Sequence, residues 1–176
     1  MGMLRLLGKW GRLRYEKMDE SILKAIKFAF KKHDGQFRKE TKIPYITHPL
    51  AVMNYLLIEN APKNVIVAGV LHDTLEDTDT TFDELCKEFG LEVTNMVKNA
   101  SEPEDLKKDP DQIGTWKKRK EHTLKNLEKL DYNSKLIICA DKLHNAASII
   151  DDLSIIGDEV WEKFNAPKED VKWYYE

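Results

Sequence analysis

The sequence predicts an all-α protein, and three observations support this. Apolar residues recur at spacings of three and four along most of the chain, no stretch alternates convincingly as a half-buried strand would, and helix start and stop residues separate the periodic segments. The 176 residues are 41% hydrophobic and 34% charged, which suits one compact domain with a core of its own. The predicted architecture is therefore a helical bundle without internal repeats.

The first helices are indicated by their apolar spacing. Ile22, Ile26 and Phe30 lie one turn apart and predict an amphipathic helix. Pro49 suits the first turn of the next helix, because a proline there removes no intrahelical hydrogen bond. Pro62 then precedes an almost continuous apolar run over residues 65–71, which predicts a helix that is buried in the core.

The following segments have start and stop signals of their own. Thr81 with Glu84 three residues later predicts a capping box, and Gly90 predicts the end of that helix. Residues 101–114 contain two prolines and many charges, so we expect a flexible loop there. Residues 136–150 are typical of a long apolar helix, with Asn133 or Ser134 as its cap.

Charge and composition limit the partners and the location of the protein. The net charge is −3, so no overall basic field predicts binding to nucleic acid. No apolar run is long enough to span a membrane. Cys86 and Cys139 lack the CxxC spacing of a zinc or redox site, and we interpret them as buried free thiols of a cytoplasmic protein.

The first eighteen residues differ from the rest of the chain. Five of them are basic and one is acidic, and leucines alternate with the cations. We predict a basic N-terminal segment over residues 1–18 and one domain over residues 19–176. The segment lacks the apolar stretch of a signal peptide. It is either an amphipathic helix that touches a membrane or a partner, or a terminus that frays or packs on the domain.

Four ionisable residues end the apolar run that begins at Val65. They are His72, Asp73, Glu76 and Asp77. A buried carboxylate costs several kcal/mol unless it is paired or binds a metal. The helix over residues 136–150 has a similar polar centre, where Asp141 and Asn145 share one face. If the two helices cross there, their carboxylates raise one another's pKa, and a divalent cation would relieve that conflict.

A mixed nitrogen and oxygen site follows from this arrangement. His48, at a helix start, can supply the missing ligand, and imidazole with carboxylate donors suits Mn, Fe, Co, Ni or Zn. Each of these residues alone has an ordinary structural alternative, such as a core histidine with a hydrogen-bond partner or an internal salt bridge. The order His, His-Asp, Asp along the chain is what favours a metal site.

Three linked motifs in this order resemble a known family. They are residues 35–49 (GQFRKETKIPYITHP), residues 72–77 (HDTLED) followed by residues 80–85, and residues 140–145 (ADKLHN). The chain is similar to HD-domain metal-dependent phosphohydrolases, in particular the hydrolase domain of RelA/SpoT-type alarmone enzymes and their small stand-alone relatives. The resemblance implies an HD-domain helical bundle that binds a divalent metal, Mn²⁺ first. The implied ligands are His48, His72, Asp73 and Asp141.

The resemblance also implies roles for residues around the metal. Glu76 and Asp77 match the acidic pair that orients or deprotonates the attacking water, and a salt bridge to Lys39 or Lys142 is the structural alternative. The implied substrate-binding residues are Arg38, Lys39, Tyr45, Lys142 and Asn145. The basic pair Arg38 and Lys39 would pack on a purine and approach phosphates, or it would be an ordinary solvated loop. The basic run over residues 117–120 is either a phosphate-binding wall or a solvated helix face.

The implied activity is hydrolysis of a phosphoester or pyrophosphate bond in a nucleotide. Alarmone (ppGpp) 3′-pyrophosphohydrolase is the first expectation. A phosphatase acting on another nucleotide or a phosphorylated cofactor, and a nucleotide-binding HD module without catalysis, are the alternatives. The substrate is left open because Ala146 and Ala147 stand where the alarmone enzymes usually carry an arginine, and Lys142 replaces a common arginine. Assembly into a homo-oligomer is also left open.

Overall fold

The computed structural model describes residues 18–101 and 115–176, and within these ranges the protein is all-α, as predicted. The helices are α1 Glu20–Lys32, α2 Thr47–Ile58, α3 Lys63–Leu71, α4 Thr74–Asp77, α5 Phe82–Phe89, α6 Leu91–Ala100, α7 Trp116–Lys129, α8 Tyr132–Ile156 and α9 Lys168–Tyr175, with a 3₁₀ segment Gly157–Lys163 after α8. The only β pairing in the described residues is an isolated bridge between Phe37 and Pro44. The predicted N-terminal segment, apart from Met18, and the loop after Ser101 lie outside the described residues.

Helix α3 is the centre of the bundle. It packs against α1, α2, α6 and α8, and every residue from Val65 to Leu71 is buried. Gly69 permits the close approach of α2, because a Cβ atom there would lie 2.2 Å from Cδ1 of Leu56. The continuous apolar run of the sequence is therefore the helix that is surrounded on all sides.

Half of the predicted capping box is present, since Thr81 caps α5 while the carboxylate of Glu84 pairs with Lys32. The start of the long helix differs from the prediction. Thr81 Oγ1 accepts a hydrogen bond from the Glu84 amide at 3.1 Å, and Gly90, with φ of 83°, ends α5. The cap of α8 is Asp131, whose carboxylate accepts bonds from the amide and hydroxyl of Ser134. The expected cap Ser134 thus lies inside the first turn of α8. The carboxylate of Asp131, a stronger acceptor than a hydroxyl, takes the hydrogen bond of the Ser134 amide.

Two further observations bear on the sequence predictions. Both cysteines are free, but Cys139 is exposed and Cys86 is only half-buried, so the prediction of buried thiols was wrong. Cys139 precedes the buried Asp141 by two residues, which places it on the far side of α8. Among the helices that the structure describes, none combines the length and the apolar character that crossing a membrane requires.

Candidate metal centre and active site

The four candidate metal ligands come from three places in the bundle. His48 is the second residue of α2, and His72 and Asp73 occupy the break between α3 and α4. Asp141 lies in the middle of α8. The break is held locally, because the Thr74 hydroxyl donates to the Leu71 carbonyl at 2.7 Å. It turns two consecutive side chains toward α2 and α8.

The structure groups the donor atoms of His48, His72 and Asp73 within 4.8 Å of one another, and Oδ1 of Asp141 lies next to the two imidazoles. Nε2 of His48 lies 3.2 Å from Nε2 of His72. Oδ2 of Asp73 lies 3.1 Å from Nε2 of His72 and 3.5 Å from Nε2 of His48. Oδ1 of Asp141 lies 3.1 Å from Nε2 of His48 and 3.8 Å from Nε2 of His72.

These separations fit a shared divalent cation. Ligand atoms that each lie about 2.0–2.2 Å from one ion lie roughly 3–4 Å from one another. Nδ1 of His72 lies 2.8 Å from the Gly69 carbonyl, so it carries the proton and leaves Nε2 with a lone pair. Two imidazole nitrogens 3.2 Å apart need a proton or a metal ion between them. A divalent cation can take the place of the proton, because both Nε2 atoms then turn a lone pair toward it.

The electrostatics of the cluster favour positive charge. Burial opposes ionisation, yet the charge of His72 outweighs it and keeps the pKa of Asp73 well below its usual range. For Asp141, burial is likewise outweighed, chiefly by Lys142, whose Nζ lies 2.6 Å from Oδ2, and the pKa is again low. Burial of His72 is overcome by the two carboxylates, which raise its pKa to about 9. Without a metal, a proton thus occupies the site.

Tyr45 bridges two of the candidate functional carboxylates. Its hydroxyl lies 2.7 Å from Oδ2 of Asp73 and 3.0 Å from Oδ2 of Asp77. The ring stacks on His33 with centroids 4.8 Å apart. Burial raises the pKa of Tyr45, and Asp73 and Asp77 add to the effect, so the hydroxyl keeps its proton as a donor. The predicted substrate-binding residue also organises the acidic groups.

Glu76 and Asp77 are both in α4 and line the same large cavity as His48, Asp73 and Asp141. The cavity has a volume of about 1140 Å³. Their candidate salt-bridge partners have other contacts, since Lys142 pairs with Asp141 and Lys39 donates to the backbone oxygen of Lys163. Asp77 is exposed to the cavity, where water and substrate can reach it.

The other predicted substrate-binding residues surround the metal centre. Nη2 of Arg38 donates to Oδ1 of Asn145 at 2.8 Å, and Nδ2 of Asn145 donates to Oδ1 of Asp141 at 2.5 Å. Arg38, Tyr45 and Asn145 line both the large cavity and a neighbouring one of about 370 Å³. Lys39 lines the smaller cavity and Lys142 the larger. All five residues therefore line one or both of two adjoining cavities.

The basic run over residues 117–120, at the start of α7, was interpreted as either a phosphate-binding wall or a solvated helix face. The structure supports a different interpretation for different members of the run. Lys120 lines the large cavity, as does Lys98 on α6. Lys117 pairs with Asp170 at 2.8 Å, and Arg119 is buried. One member of the run therefore faces the site, in keeping with the limit that consecutive residues point around a helix.

His144 is a residue of the site that the sequence analysis left without a role. Its Nδ1 lies 2.7 Å from Nδ1 of His48, on the side of the ring away from the cluster. Burial, with the positive charges of His48 and Arg38, lowers the pKa of His144 to about 4. His144 follows Asp141 by three residues and so lies near the same face of α8. This spacing could have indicated from the sequence that His144 belongs to the site.

The fold and the site define a metal-dependent phosphohydrolase with a divalent metal centre in an all-α bundle. The family described as HD domain matches residues 25–170, and the chain belongs to this family.

Known relatives agree with this assignment. The chain is 37% identical over 145 residues to guanosine-3′,5′-bis(diphosphate) 3′-pyrophosphohydrolase MESH1 of Xenopus tropicalis, covering 81% of this chain and 74% of the relative. It is 34% identical over 155 residues to the Homo sapiens protein of the same name, covering 86% and 79%.

Two solved structures are also similar. One is a metazoan ortholog of SpoT that hydrolyses ppGpp and plays a role in starvation responses, with a TM-score of 0.67, 26% identity, and coverage of 84% of this chain and 86% of that one. The other is lmo0812 of Listeria monocytogenes EGD-e, with a TM-score of 0.62, 34% identity, and coverage of 74% and 75%.

Proposed function

We propose that the protein is a Mn²⁺-dependent hydrolase that releases pyrophosphate from the 3′ position of guanosine-3′,5′-bis(diphosphate). The observation that carries the proposal is the cluster of His48, His72 and Asp73 beside a large cavity, with Asp141 next to both imidazoles and Tyr45 joining Asp73 to Asp77. Relatives that share 34–37% of their residues over most of the chain are named for this reaction.

The proposed ligands are His48, His72, Asp73 and Asp141. Mn²⁺ suits two imidazole nitrogens with two carboxylate oxygens and no thiolate. When bound, the cation supplies polarisation of a phosphoryl oxygen and a lower pKa for an attacking water. The carboxylates of Asp73 and Asp141 remain ionised across the physiological range, because their pKa values are low.

Glu76 and Asp77 are the proposed residues that handle the attacking water. Asp77 is exposed to the cavity and lies one turn beyond Asp73, where its carboxylate can accept a proton from water. Tyr45 holds Asp77 by a hydrogen bond of 3.0 Å, which orients the carboxylate. General-base assistance of this kind is worth about 10²- to 10⁴-fold in rate.

The charge of the cavity suits a nucleotide with more than one phosphate. Basic side chains from four elements line it, namely Arg38, Lys98, Lys120, Lys129 and Lys142. Cations around a cleft concentrate anionic ligands. We place the purine against Arg38 and Lys39 at the smaller cavity, with Asn145 near the sugar, because Arg38 and Asn145 line both cavities.

The proposal extends to the organisation and location of the chain. Residues 19–176 form the catalytic domain, supported by a family match that begins at residue 25, and residues 1–18 form a basic extension. A cytoplasmic location is supported by two cysteines that form no disulfide. The proposed site is built from residues of a single chain, so the proposal holds for a monomer or a homo-oligomer.

A comparison of substrates tests the proposal. The metal-depleted protein is supplied with Mn²⁺ and assayed for pyrophosphate release from ppGpp, and for phosphate release from a panel of nucleotides and phosphorylated cofactors. Mn²⁺-dependent pyrophosphate release from ppGpp is the expected result. No pyrophosphate at saturating Mn²⁺ would refute the proposed substrate.

A phosphatase acting on another phosphorylated nucleotide is the second candidate. Ala146 and Ala147 favour it, because the alarmone enzymes that the chain resembles usually carry an arginine there. Phosphate release from one member of the panel, with ppGpp left intact, would select this alternative.

A further inference from the structure

The two histidines of the candidate metal centre are oriented in different ways. His72 is held by the backbone, since its Nδ1 lies 2.8 Å from the carbonyl of Gly69 in the same helical turn. His48 is held by a side chain, since its Nδ1 lies 2.7 Å from Nδ1 of His144 on α8. A substitution can therefore remove the partner of His48, which is the side chain of His144, but not the backbone carbonyl that holds His72.

The contact between His48 and His144 determines where the protons lie. Nε2 of His48 faces Asp141, Asp73 and His72, so it must be unprotonated to bind a cation there. A neutral imidazole carries one proton, which therefore lies on Nδ1 of His48. That N–H donates to Nδ1 of His144, which must accept, and the proton of His144 is consequently on its own Nε2.

The surroundings of His144 support the role of acceptor. The ring is half-buried, and its plane is tilted by 39° from that of His48, with centroids 4.8 Å apart. Nδ1 of His144 is the atom that faces Nδ1 of His48 at 2.7 Å, so its lone pair is in position to accept that N–H. Neighbouring groups commonly fix the tautomer of a metal-binding histidine in this manner, and they are usually carboxylates or carbonyls. Here the acceptor is a second imidazole.

We propose that His144 is a positioning residue, which accepts the Nδ1 proton of His48 and thereby holds the ring and the tautomer that bind the cation. The inference rests on the proposed role of His48 as a ligand and is independent of the identity of the nucleotide. It also explains the position of His144 in the middle of α8. Its ring contacts Nδ1 of His48, the nitrogen that points away from the proposed metal.

A pair of substitutions of similar shape tests the proposal. H144N places an amide oxygen close to the position of Nδ1 and keeps an acceptor, while H144L has a similar outline and no acceptor. Binding of Mn²⁺ alone to the metal-depleted full chain is measured by calorimetry. H144L should weaken Mn²⁺ binding about 10- to 100-fold, as loss of an outer partner typically does. H144N should recover most of that loss.

The matched control is H122N, because His122 is exposed on α7 and contacts Asn126 of its own helix. Circular dichroism without metal establishes that each variant folds, and H144A replaces H144L if the leucine variant does not. Mn²⁺ binding by H144L at the wild-type affinity would overturn the proposal. So would an H144N variant that binds no better than H144L.

A second readout separates this role from a direct contact with substrate. At low Mn²⁺, hydrolysis by H144L should be reduced, and added Mn²⁺ should restore kcat because the defect lies in metal affinity. A defect that persists at saturating Mn²⁺ would contradict a purely positioning role. The binding measurement uses no nucleotide, so failure of the proposed ppGpp activity would leave its outcome interpretable.

Discussion

Nε2 of His48 and Nε2 of His72 lie 3.2 Å apart, although 24 positions separate the two residues in the chain. The contact exists because the start of α2 meets the end of α3, where Gly69 allows the two helices to pack closely. At this distance the two nitrogens share a proton in the metal-free protein, and a bound cation would take its place. The metal centre is thus a product of how α2 and α3 pack.

Substitution of Asp73 should show whether hydrolysis depends on the metal centre. D73A removes an oxygen that lies within 3.5 Å of both imidazole nitrogens. We expect Mn²⁺ binding to fall by at least about 10- to 100-fold, and hydrolysis to be lost with it. Calorimetry and the pyrophosphate assay measure the two effects. D151A, at an exposed position of α8, is the control, and an unchanged hydrolytic rate in D73A would rule out the assigned metal site.

Glu76 and Asp77 should affect the rate without affecting the metal. D77N and E76Q keep the shape of each side chain and remove its capacity to accept a proton. We expect kcat to fall by about 10²- to 10⁴-fold for the residue that acts as the base, while Mn²⁺ binds as before. D83N, a change in the first turn of α5 outside the cavity, should leave both unchanged. If both variants retain full kcat, another group must deprotonate the water.

The affinity for metal should depend on pH. His72 has a pKa of about 9 in the metal-free protein, so its Nε2 is protonated at pH 7 and Mn²⁺ must displace that proton. The apparent affinity should therefore rise with pH, roughly tenfold per unit below pH 9. Calorimetry between pH 6 and 8 in buffers of different ionisation enthalpy measures the protons released, and about one per Mn²⁺ is expected. Binding of Mn²⁺ without release of a proton would contradict this prediction.

Tyr45 offers a test of how the carboxylates are held. Y45F keeps the ring that stacks on His33 and removes the hydroxyl that lies 2.7 Å from Asp73 and 3.0 Å from Asp77. We expect kcat to fall about 10- to 100-fold because Asp77 loses its orientation. The thermal midpoint should change little. Steady-state kinetics separates this from a sugar contact, which would mainly raise KM.

Gly69 connects the packing of the core to the site. G69A would place a methyl group 2.2 Å from Cδ1 of the buried Leu56, and overpacking of this kind costs about 1–3 kcal/mol. Urea unfolding measures the loss. In the double variant L56A/G69A the new methyl has room, so G69A should cost less there than in the wild-type background. Equal costs in both backgrounds would show that the clash is relieved elsewhere.

Much of the fold could be predicted from the sequence, because helices depend on residues within one or two turns. Local features of this kind are the Thr81 cap, the glycine at the end of α5 and the buried run of α3. The cap of α8 was misplaced because Asp131, Asn133 and Ser134 are all competent caps, and only the backbone geometry distinguishes them.

The same distinction between local sequence and tertiary packing applies to the site. By itself the sequence determined which residue types were available and in what order, and this sufficed to select His48, His72, Asp73 and Asp141. Tertiary structure alone decided which atoms meet, because the contacts of Arg38 with Asn145 and of His48 with His144 join residues 107 and 96 positions apart. Helical periodicity relates residues within a few turns, whereas these pairs form only when α2 and the segment before it pack against α8.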